Sequence, residues 1–313
     1  MLPGERSGGR TLAYGVESAR MRTFKLILVA LAMLVPGVGV TSYDPAVTLC
    51  TLDDSRIPES SGFAASSYHD DIAFTHNDSG DTARIFAIHL RTCAVLATIT
   101  VAGVEAIDWE DIARGPGSHD GESLYIGDIG NNNRTRRTLV IYEIREPVVD
   151  PDIVGAQQTV TVIASHEYVY DDGPQDAEGL VIDPASGDII VVGKTYHGVS
   201  GIYRLERVLP EPLPLVARTI ARAPLVSTTA IGPQATGADI APDGSRIVIR
   251  TYQEIFEWAI PDGDIASAFS TLGEPISHPL VPQGEAVTFT RDSAGLMTTT
   301  EGAGPVYLLT RSG

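Results

Sequence analysis

The sequence predicts an all-β protein, a β-propeller of five four-stranded blades. Three observations support this prediction. The chain repeats one pattern five times, its apolar segments are short and separated by turns, and it contains no convincing long helix. Four-stranded units that recur about every 40–50 residues or more are typical of propeller blades.

Each repeat begins with an acidic residue beside a small one, followed by a short apolar strand. The five repeats begin at Glu59, Glu110, Glu178, Asp239 and Glu285. A second strand then leads to a polar or charged residue, which is Asp78, Asp128, Lys194, Arg250 or Glu301. A third strand rich in aromatic and β-branched residues follows, at 84–88, 139–144, 201–205, 255–260 and 305–309. A fourth strand is predicted at 95–101, 159–164 and 215–220, with a weaker one near 266–269.

The last repeat has only three strands before the chain ends, and the segment 46–49 precedes the first repeat. We expect this N-terminal strand to complete the last blade and to close the propeller without open edges. Residues 41–313 then form a single domain. Six blades are the alternative, and the sixth would have to lie within 206–236, where five prolines favour a loop.

Residues 1–40 read as a lead-in followed by a secretory signal peptide. A basic segment at 21–25 precedes an apolar run at 26–35, and a segment rich in small residues follows at 36–40, as before a signal-peptide cleavage site. The apolar run is shorter than the roughly 18 residues that span a bilayer, although an uncleaved anchor is the alternative. The sequence therefore predicts a secreted, extracellular protein without a membrane contact after cleavage.

The chain is acidic, with a formal net charge of −18 at pH 7. This charge excludes nucleic acid and anionic membranes as favourable partners and suits cation binding. We expect a monomer that binds a small-molecule or extracellular ligand at one end of its channel. In an exported chain the two cysteines, Cys50 and Cys93, predict one disulfide across the closure, with two buried thiols as the alternative.

The innermost strand of each blade lines the channel of a propeller, so the five acidic repeat starts should converge there. They are Glu59, Glu110, Glu178, Asp239 and Glu285. Converging carboxylates repel each other unless a cation lies among them, and this many oxygen ligands suit Ca²⁺. The alternative is that each carboxylate caps its own blade by accepting hydrogen bonds from backbone N–H groups.

The residues after the second strands carry mixed charge, which indicates a ligand site or a ring of salt bridges. Asp128, Lys194 and Arg250 are the candidate catalytic residues, and Lys194 is the only lysine after Lys25. A lysine paired with a neighbouring carboxylate would explain Lys194 equally well. The candidate ligand-binding residues are Asp78, Asn131, Glu301 and His76.

The polar segments around His76 and Asn131 each have two interpretations. The segment 76–81 has the composition of an Asx-type turn, or it forms one edge of a metal site. The segment 131–137 offers amide oxygens to a cation and three arginines to an anion, or it is a solvated hairpin loop. The sequence contains no Gly-x-Ser-x-Gly elbow, no His-Glu-x-x-His motif, no P-loop and no dinucleotide-binding fingerprint.

The segment Asp176-Ala177-Glu178-Gly179-Leu180, with Asp183-Pro184 and Gly187 after it, resembles secreted β-propellers of the esterase-like phytase type. It is more loosely similar to the gluconolactonase and paraoxonase group. The turns at 76–80 and 127–131 also look like those of secreted proteins from high-GC bacteria. The resemblance implies a Glu that binds Ca²⁺ in the channel, where the ion polarises a phosphoester or a lactone.

Two functions follow from these expectations. The first is a Ca²⁺-dependent extracellular hydrolase of a phosphoester, ester or lactone, in which Lys194 and Arg250 stabilise the developing anion. Asp128 or Glu178 would orient water. The second is a non-catalytic propeller that binds a glycan, peptide or protein at its channel face.

Overall fold

The computed structural model describes residues 43–205, 214–227, 229 and 231–312, which all belong to the unit that spans 41–313. The predicted signal peptide at 1–40 lies outside the described residues, as does part of the segment 206–236. In the described part of the chain, no helix has both the length and the apolar character to cross a membrane.

The first strand, β1 (Val47–Leu52), is followed by an antiparallel group of four. Its members, in order across the sheet, are β2 (Ser60–Ala65), β3 (Ile72–Asn77), β4 (Arg84–His89) and β5 (Val95–Ala102). Residues in β2 and β3 are buried on both faces. These two strands therefore lie inside the molecule, as expected for strands with neighbours on either side.

The second group is β6 (Trp109–Pro116), β7 (Glu122–Asp128), β8 (Leu139–Arg145) and β10 (Ala164–Tyr170). Before β10 the chain forms β9 (Ala156–Thr161), which pairs in parallel with β5 of the first group. The predicted fourth strand at 159–164 is therefore wrong. It spans the boundary between two strands that belong to different sheets, a boundary that no change in composition marks.

The third group is β11 (Ala177–Ile182), β12 (Ile189–Gly193), β13 (Val199–Leu205) and β14 (Leu215–Pro224). A parallel pairing between β10 and β14 joins this group to the second in one eight-stranded sheet. The fourth group is β15 (Ala235–Ile240), β16 (Arg246–Thr251), β17 (Ile255–Ala259) and the two-residue β18 (Glu274–Pro275).

The predicted strand near 266–269 is also wrong. A short α-helix, α1 (Ile265–Ala268), occupies this segment, and a 3-10 turn at Pro261–Gly263 precedes it. The side chain of Asp264 accepts hydrogen bonds from the backbone N–H groups of Ala266 and Ser267. This N-cap satisfies amide groups that a strand would have paired with its neighbour, and so favours a helical turn.

The last group is β19 (Gly284–Phe289), β20 (Gly295–Thr300) and β21 (Gly304–Thr310), and β1 pairs with β21 as its fourth strand. The predicted closure by the N-terminal strand is confirmed. The described chain is therefore an all-β, β-propeller-like fold of four-stranded antiparallel groups.

The first strands of the groups pack against each other in cyclic order. β2 contacts β6, β6 contacts β11, β11 contacts β15, β15 contacts β19, and β19 returns to β2. Apolar clusters fill the spaces between neighbouring groups, and Trp109 and Trp258 lie in two of them. The five first strands are called the innermost strands below.

A disulfide joins Cys50 in β1 to Cys93, just before β5, with a Cα–Cα distance of 5.6 Å. The predicted disulfide is therefore present. It connects the strand that completes the last group to the turn that precedes β5 in the first group.

Candidate functional site

Every innermost strand has an irregular register with its neighbour near its N-terminal end. The shift falls after Trp109 in β6, and similar shifts interrupt the other four pairings. The first unpaired residues at these β-bulges are Ser61, Glu110, Glu178, Thr236 and Glu285. A bulge re-aims a side chain and ends regular pairing, so these five residues occupy equivalent positions in the fold.

The equivalent positions carry carboxylates in three strands and hydroxyls in two. Ser61 donates a hydrogen bond of 2.6 Å from its hydroxyl to the backbone oxygen of Glu110. Thr236 donates one of 2.9 Å to the backbone oxygen of Gly284. The two hydroxyl residues thus join neighbouring innermost strands, whereas Glu110, Glu178 and Glu285 leave buried carboxylates at this end of the strands.

Three carboxylates converge at the start of β6. Oxygen atoms of Asp78, Asp108 and Glu110 all lie within 4.8 Å of one another. We call these three residues the acidic cluster. Glu110 is 2% exposed, and the two aspartates are half-buried. The cluster therefore combines a buried side with a side that solvent can reach.

Backbone hydrogen bonds hold the two aspartates in place. The amide of Asp78 donates to the backbone oxygen of Glu59 at 2.9 Å. The amide of Asp108 donates to a carboxylate oxygen of Asp128 at 3.2 Å. These bonds fix the main chain at Asp78 and at Asp108, and so hold both residues close to Glu110.

Gly130 lies directly against the acidic cluster. A Cβ atom at this position would overlap the carboxylate oxygens of Glu110 and Asp108. The amide of Gly130 donates a hydrogen bond of 3.1 Å to the backbone oxygen of Asp108. The close approach of this loop to the two carboxylates therefore depends on glycine.

Two carboxyl groups of the cluster, those of Glu110 and Asp108, hold protons more tightly than ordinary ones. Burial raises the pKa of Glu110 well above its usual value, and the charges of Glu178, Asp78 and Asp108 raise it further. Burial and the charge of Asp78 raise the pKa of Asp108 to about 6. The ionised forms of these two groups are therefore unfavourable at this place unless a positive charge compensates them.

Two more bulge residues, Glu178 and Glu285, carry buried carboxyl groups. The charge of Glu178 acts on both Glu110 and Glu285. Burial raises the pKa of Glu178 to about 7, although its partner Lys194 opposes this shift. Burial and the charge of Glu178 raise the pKa of Glu285 to about 8. The pKa of Glu301 is also raised, by burial first and then by the charge of Asp78.

Lys194 forms an ion pair with Glu178, and its ammonium nitrogen lies 5.5 Å from the centre of the Tyr252 ring. Burial is the largest single influence and lowers the pKa of Lys194, but the charge and the hydrogen bond of Glu178, together with Tyr252, outweigh burial and raise the pKa. The pairing of Lys194 with a carboxylate, which was the alternative interpretation of this residue, is therefore present. Lys194 brings a positive charge to the edge of the acidic region.

Arg250 is fully buried, and its guanidinium group packs against the backbone of Gly284 so closely that a Cβ atom there would overlap it. None of its side-chain nitrogens forms a hydrogen bond with a residue that the structure describes. Burial lowers the pKa of Arg250 to about 10, and the charge of Glu285 opposes this shift.

Two predicted site residues are engaged in hydrogen bonds within the protein. Asp128 accepts hydrogen bonds from the amides of Ile107 and Asp108 and from the guanidinium group of Arg136, the last at 2.6 Å. The Asn131 side chain donates to backbone oxygens of Arg136 and Gln175 and accepts from the amide of Arg136. Both side chains fix the loop that carries Gly130.

His76 is fully buried, and its Nδ1 atom lies 2.8 Å from the backbone oxygen of Asn77. Burial lowers the pKa of His76 below its usual value. Its ring packs edge-on against Trp109, with 5.8 Å between the ring centres. The ring thus contributes to packing beneath the acidic cluster.

Two of the five predicted metal ligands lie outside the set of bulge residues. Asp239 accepts hydrogen bonds from the amides of Phe289 and Ile240 and from the Thr288 hydroxyl, so it acts as a cap between innermost strands. Glu59 is exposed, and its amide donates to the side chain of Asn77. The sequence repeats that begin at Glu59 and Asp239 are therefore out of register with the fold, because Ser61 and Thr236 occupy the positions equivalent to Glu110, Glu178 and Glu285.

Sequence reasoning missed Asp108 and Gly130. Asp108 precedes Glu110 by two residues, so both side chains reach the same side of the extended chain where β6 begins. This two-residue spacing could have identified Asp108 as a site residue from the sequence. Gly130 stood in the polar turn after β7, but only the folded chain shows that the turn meets the carboxylates of another segment.

No family model and no curated protein matches this chain. Among solved structures, the fold is similar to the crystal structure of RRP9 WD40 repeats, with a TM-score of 0.41 and 13% sequence identity. That match covers 85% of this chain and 80% of the other.

Proposed function

We propose that this chain is a five-bladed propeller that binds a divalent cation, Ca²⁺, at the acidic cluster. The observation that carries the proposal is the mutual distance of at most 4.8 Å among the oxygens of Asp78, Asp108 and Glu110. Two oxygens that bind one Ca²⁺ ion at about 2.4 Å each cannot lie more than about 4.8 Å apart. The three carboxylates therefore meet the distance requirement for a shared ion.

The proposed blade number rests on the cyclic packing of β2, β6, β11, β15 and β19. Each of these strands begins an antiparallel group of four, and β1 supplies the fourth strand of the last group. A sixth blade would have to use the segment 206–236. The described part of that segment belongs to β14 of the third group and to the approach to β15.

The electrostatics support a cation rather than a neutral ligand. Buried carboxylates with raised pKa values carry an unfavourable charge, and a bound cation removes that penalty. Hard oxygen ligands of this kind suit Ca²⁺, and the exposed sides of Asp78 and Asp108 leave room for water or a substrate oxygen. Glu178 and Glu285 add negative potential nearby.

We further propose that the site hydrolyses a phosphoester, ester or lactone, as in the propellers of the esterase-like phytase type that the chain resembles. A bound Ca²⁺ would polarise the oxygen of such a substrate. Lys194 would hold the negative charge that develops on the substrate. Glu178, with a pKa of about 7, exchanges a proton near neutral pH and suits a general base. Arg250 lies deeper and would act through Glu285.

The disulfide between Cys50 and Cys93 supports an extracellular location, because such bonds persist in oxidising compartments. We propose that the protein is secreted and acts as a monomer on a small-molecule or extracellular ligand.

Thermal unfolding tests the cation site. Residues 41–313 are treated with EDTA and then titrated with CaCl₂ or MgCl₂. Ca²⁺ at a hundredfold over its dissociation constant should stabilise the folded state by about 2.7 kcal/mol. Glu110→Gln should abolish the shift, and Glu167→Gln, an exposed carboxylate on β10, should preserve it. An unchanged midpoint in the parent protein with Ca²⁺ would overturn the proposal.

Hydrolysis is tested separately with p-nitrophenyl phosphate, p-nitrophenyl acetate and a small lactone, each with Ca²⁺ and with EDTA. We expect turnover that needs Ca²⁺ and falls strongly in Lys194→Met. Ca²⁺ binding without turnover of any substrate class would contradict the hydrolase and favour a non-catalytic binding module.

A further inference from the structure

The innermost strands end around a cavity of about 290 Å³, at the end opposite to the bulges. Five of its lining residues are Ser67, Pro116, Pro184, Pro242 and Arg291. Each lies six residues after the bulge residue of its own strand. The cavity is therefore the second mouth of the channel, built from equivalent positions of all five innermost strands.

The cavity wall is about half polar and half apolar. Ile182 and Ile240 occupy equivalent positions on two strands, and the three prolines extend the apolar surface outward. Arg291 carries a positive charge at the rim, and Asp70 balances it with a carboxylate oxygen 2.6 Å away. A small apolar group would find contacts on several sides.

Arg114 occupies the position in β6 that Ile182 and Ile240 hold in their strands. It is 8% exposed, and its Nη2 atom donates to the backbone oxygens of Phe289 and Thr290 at 3.0 and 3.1 Å. Its Nε and Nη1 atoms donate to no residue in the described part of the chain. A buried guanidinium group with donors left over is a binding point for a carboxylate.

Glu122 lines the same cavity. Burial raises its pKa, the charge of Glu146 raises it further, and the charge of Arg114 lowers it. Although Arg114 and Glu122 sense each other electrostatically, these two described residues form no ion pair with one another. A basic and an acidic side chain on neighbouring strands, β6 and β7, thus line one small cavity.

We propose that this cavity binds a free α-amino acid with an aliphatic side chain. Its carboxylate binds Arg114, its ammonium group binds Glu122, and its side chain packs on Ile182, Ile240 and the prolines. A net anion would be repelled by Glu122 and Glu146, and a net cation by Arg114. The volume lies at the small end of ligand pockets, which suits a single amino acid. This site is independent of the acidic cluster.

Calorimetric titration with L-leucine, L-valine and L-methionine tests the proposal, with Ca²⁺ and with EDTA. We expect at least one to bind under both conditions. 4-Methylpentanoate, which lacks the ammonium group, and 3-methylbutylamine, which lacks the carboxylate, should each bind at least about tenfold more weakly than leucine. Absence of binding by all three amino acids would overturn the proposal.

Variants separate the two charged contacts. Glu122→Gln should weaken leucine binding about tenfold without weakening binding of 4-methylpentanoate, because only leucine carries the ammonium group. Glu167→Gln is the matched control and should bind leucine as the parent does. Arg114→Met should lose both ligands, and its thermal midpoint reports whether it folds. Equal effects of Glu122→Gln on both ligands would contradict the assigned orientation.

Discussion

The carboxylate of Asp111 in β6 accepts a hydrogen bond of 2.8 Å from the backbone amide of Leu180 in β11. The same carboxylate accepts hydrogen bonds from the amides of Ile112 and Ala238, at 2.9 and 3.3 Å. One side chain thus satisfies amides on three innermost strands. Asp239 joins β15 to β19 in a similar way. Buried carboxylates therefore stabilise the centre of the fold through backbone contacts as well as forming a candidate ion site.

Replacement of Asp111 by Ala should destabilise the folded state by about 3 kcal/mol, because buried amides on neighbouring strands lose a charged acceptor. Urea unfolding of the variant and the parent measures this loss. Asp152→Ala, at an exposed position, serves as the control. A loss below about 1 kcal/mol would show that these amides find other partners.

Replacement of Gly130 by Ala should weaken Ca²⁺ binding at least about tenfold, because the added methyl group displaces the carboxylates of Glu110 and Asp108. Calorimetric titration with CaCl₂ measures the affinity. Gly193→Ala is a suitable control, since its Cβ atom would meet nothing closer than 3.5 Å. Unchanged affinity in Gly130→Ala would place the ion away from this loop.

The unfolding free energy of the cation-free protein should decrease as the pH rises from 7 to 9. Glu178 and Glu285 have pKa values of about 7 and about 8 when folded, against an ordinary value of 4.5. In this range the folded state binds more protons than the unfolded state, so raising the pH favours unfolding, by on the order of 1 kcal/mol.

Urea unfolding at several pH values in EDTA measures this dependence. Saturating Ca²⁺ should reduce it, because the ion binds the deprotonated form of neighbouring carboxylates. The variant Glu285→Gln should show a flatter dependence than the parent. Stability that stays constant over this range would mean that the bulge carboxylates are already ionised in the folded protein at neutral pH.

Reduction of the Cys50–Cys93 disulfide should destabilise the protein by about 3–4 kcal/mol, because the bond closes a long loop in the unfolded chain. Thermal unfolding with and without dithiothreitol measures the change, and Cys50→Ser/Cys93→Ser should match the reduced parent. If reduction left the midpoint unchanged, pairing of β1 with β21 alone would suffice to hold the closure.

Much of the architecture could be predicted from the sequence, because short apolar strands and turn residues are local signals. The closure by 46–49 followed from a count of strands in the repeats, and the disulfide followed from the presence of two cysteines. The errors at 159–164 and 266–269 have one cause. Whether a segment pairs with the neighbouring sheet, or forms a capped helical turn, depends on which partners lie beside it in the folded chain.

The sequence by itself determined the repeated four-stranded units and the acidic residues Glu110, Glu178 and Glu285 at the start of three innermost strands. Only the tertiary structure decided that Ser61 and Thr236, rather than Glu59 and Asp239, occupy the equivalent positions, because a β-bulge depends on strand pairing. Tertiary structure also brought Asp78, Asp108 and Gly130 to Glu110 and placed Arg114 and Glu122 in the wall of one cavity. The physical reason is that hydrophobic periodicity acts over a few residues, whereas a site forms from side chains that only strand packing brings together.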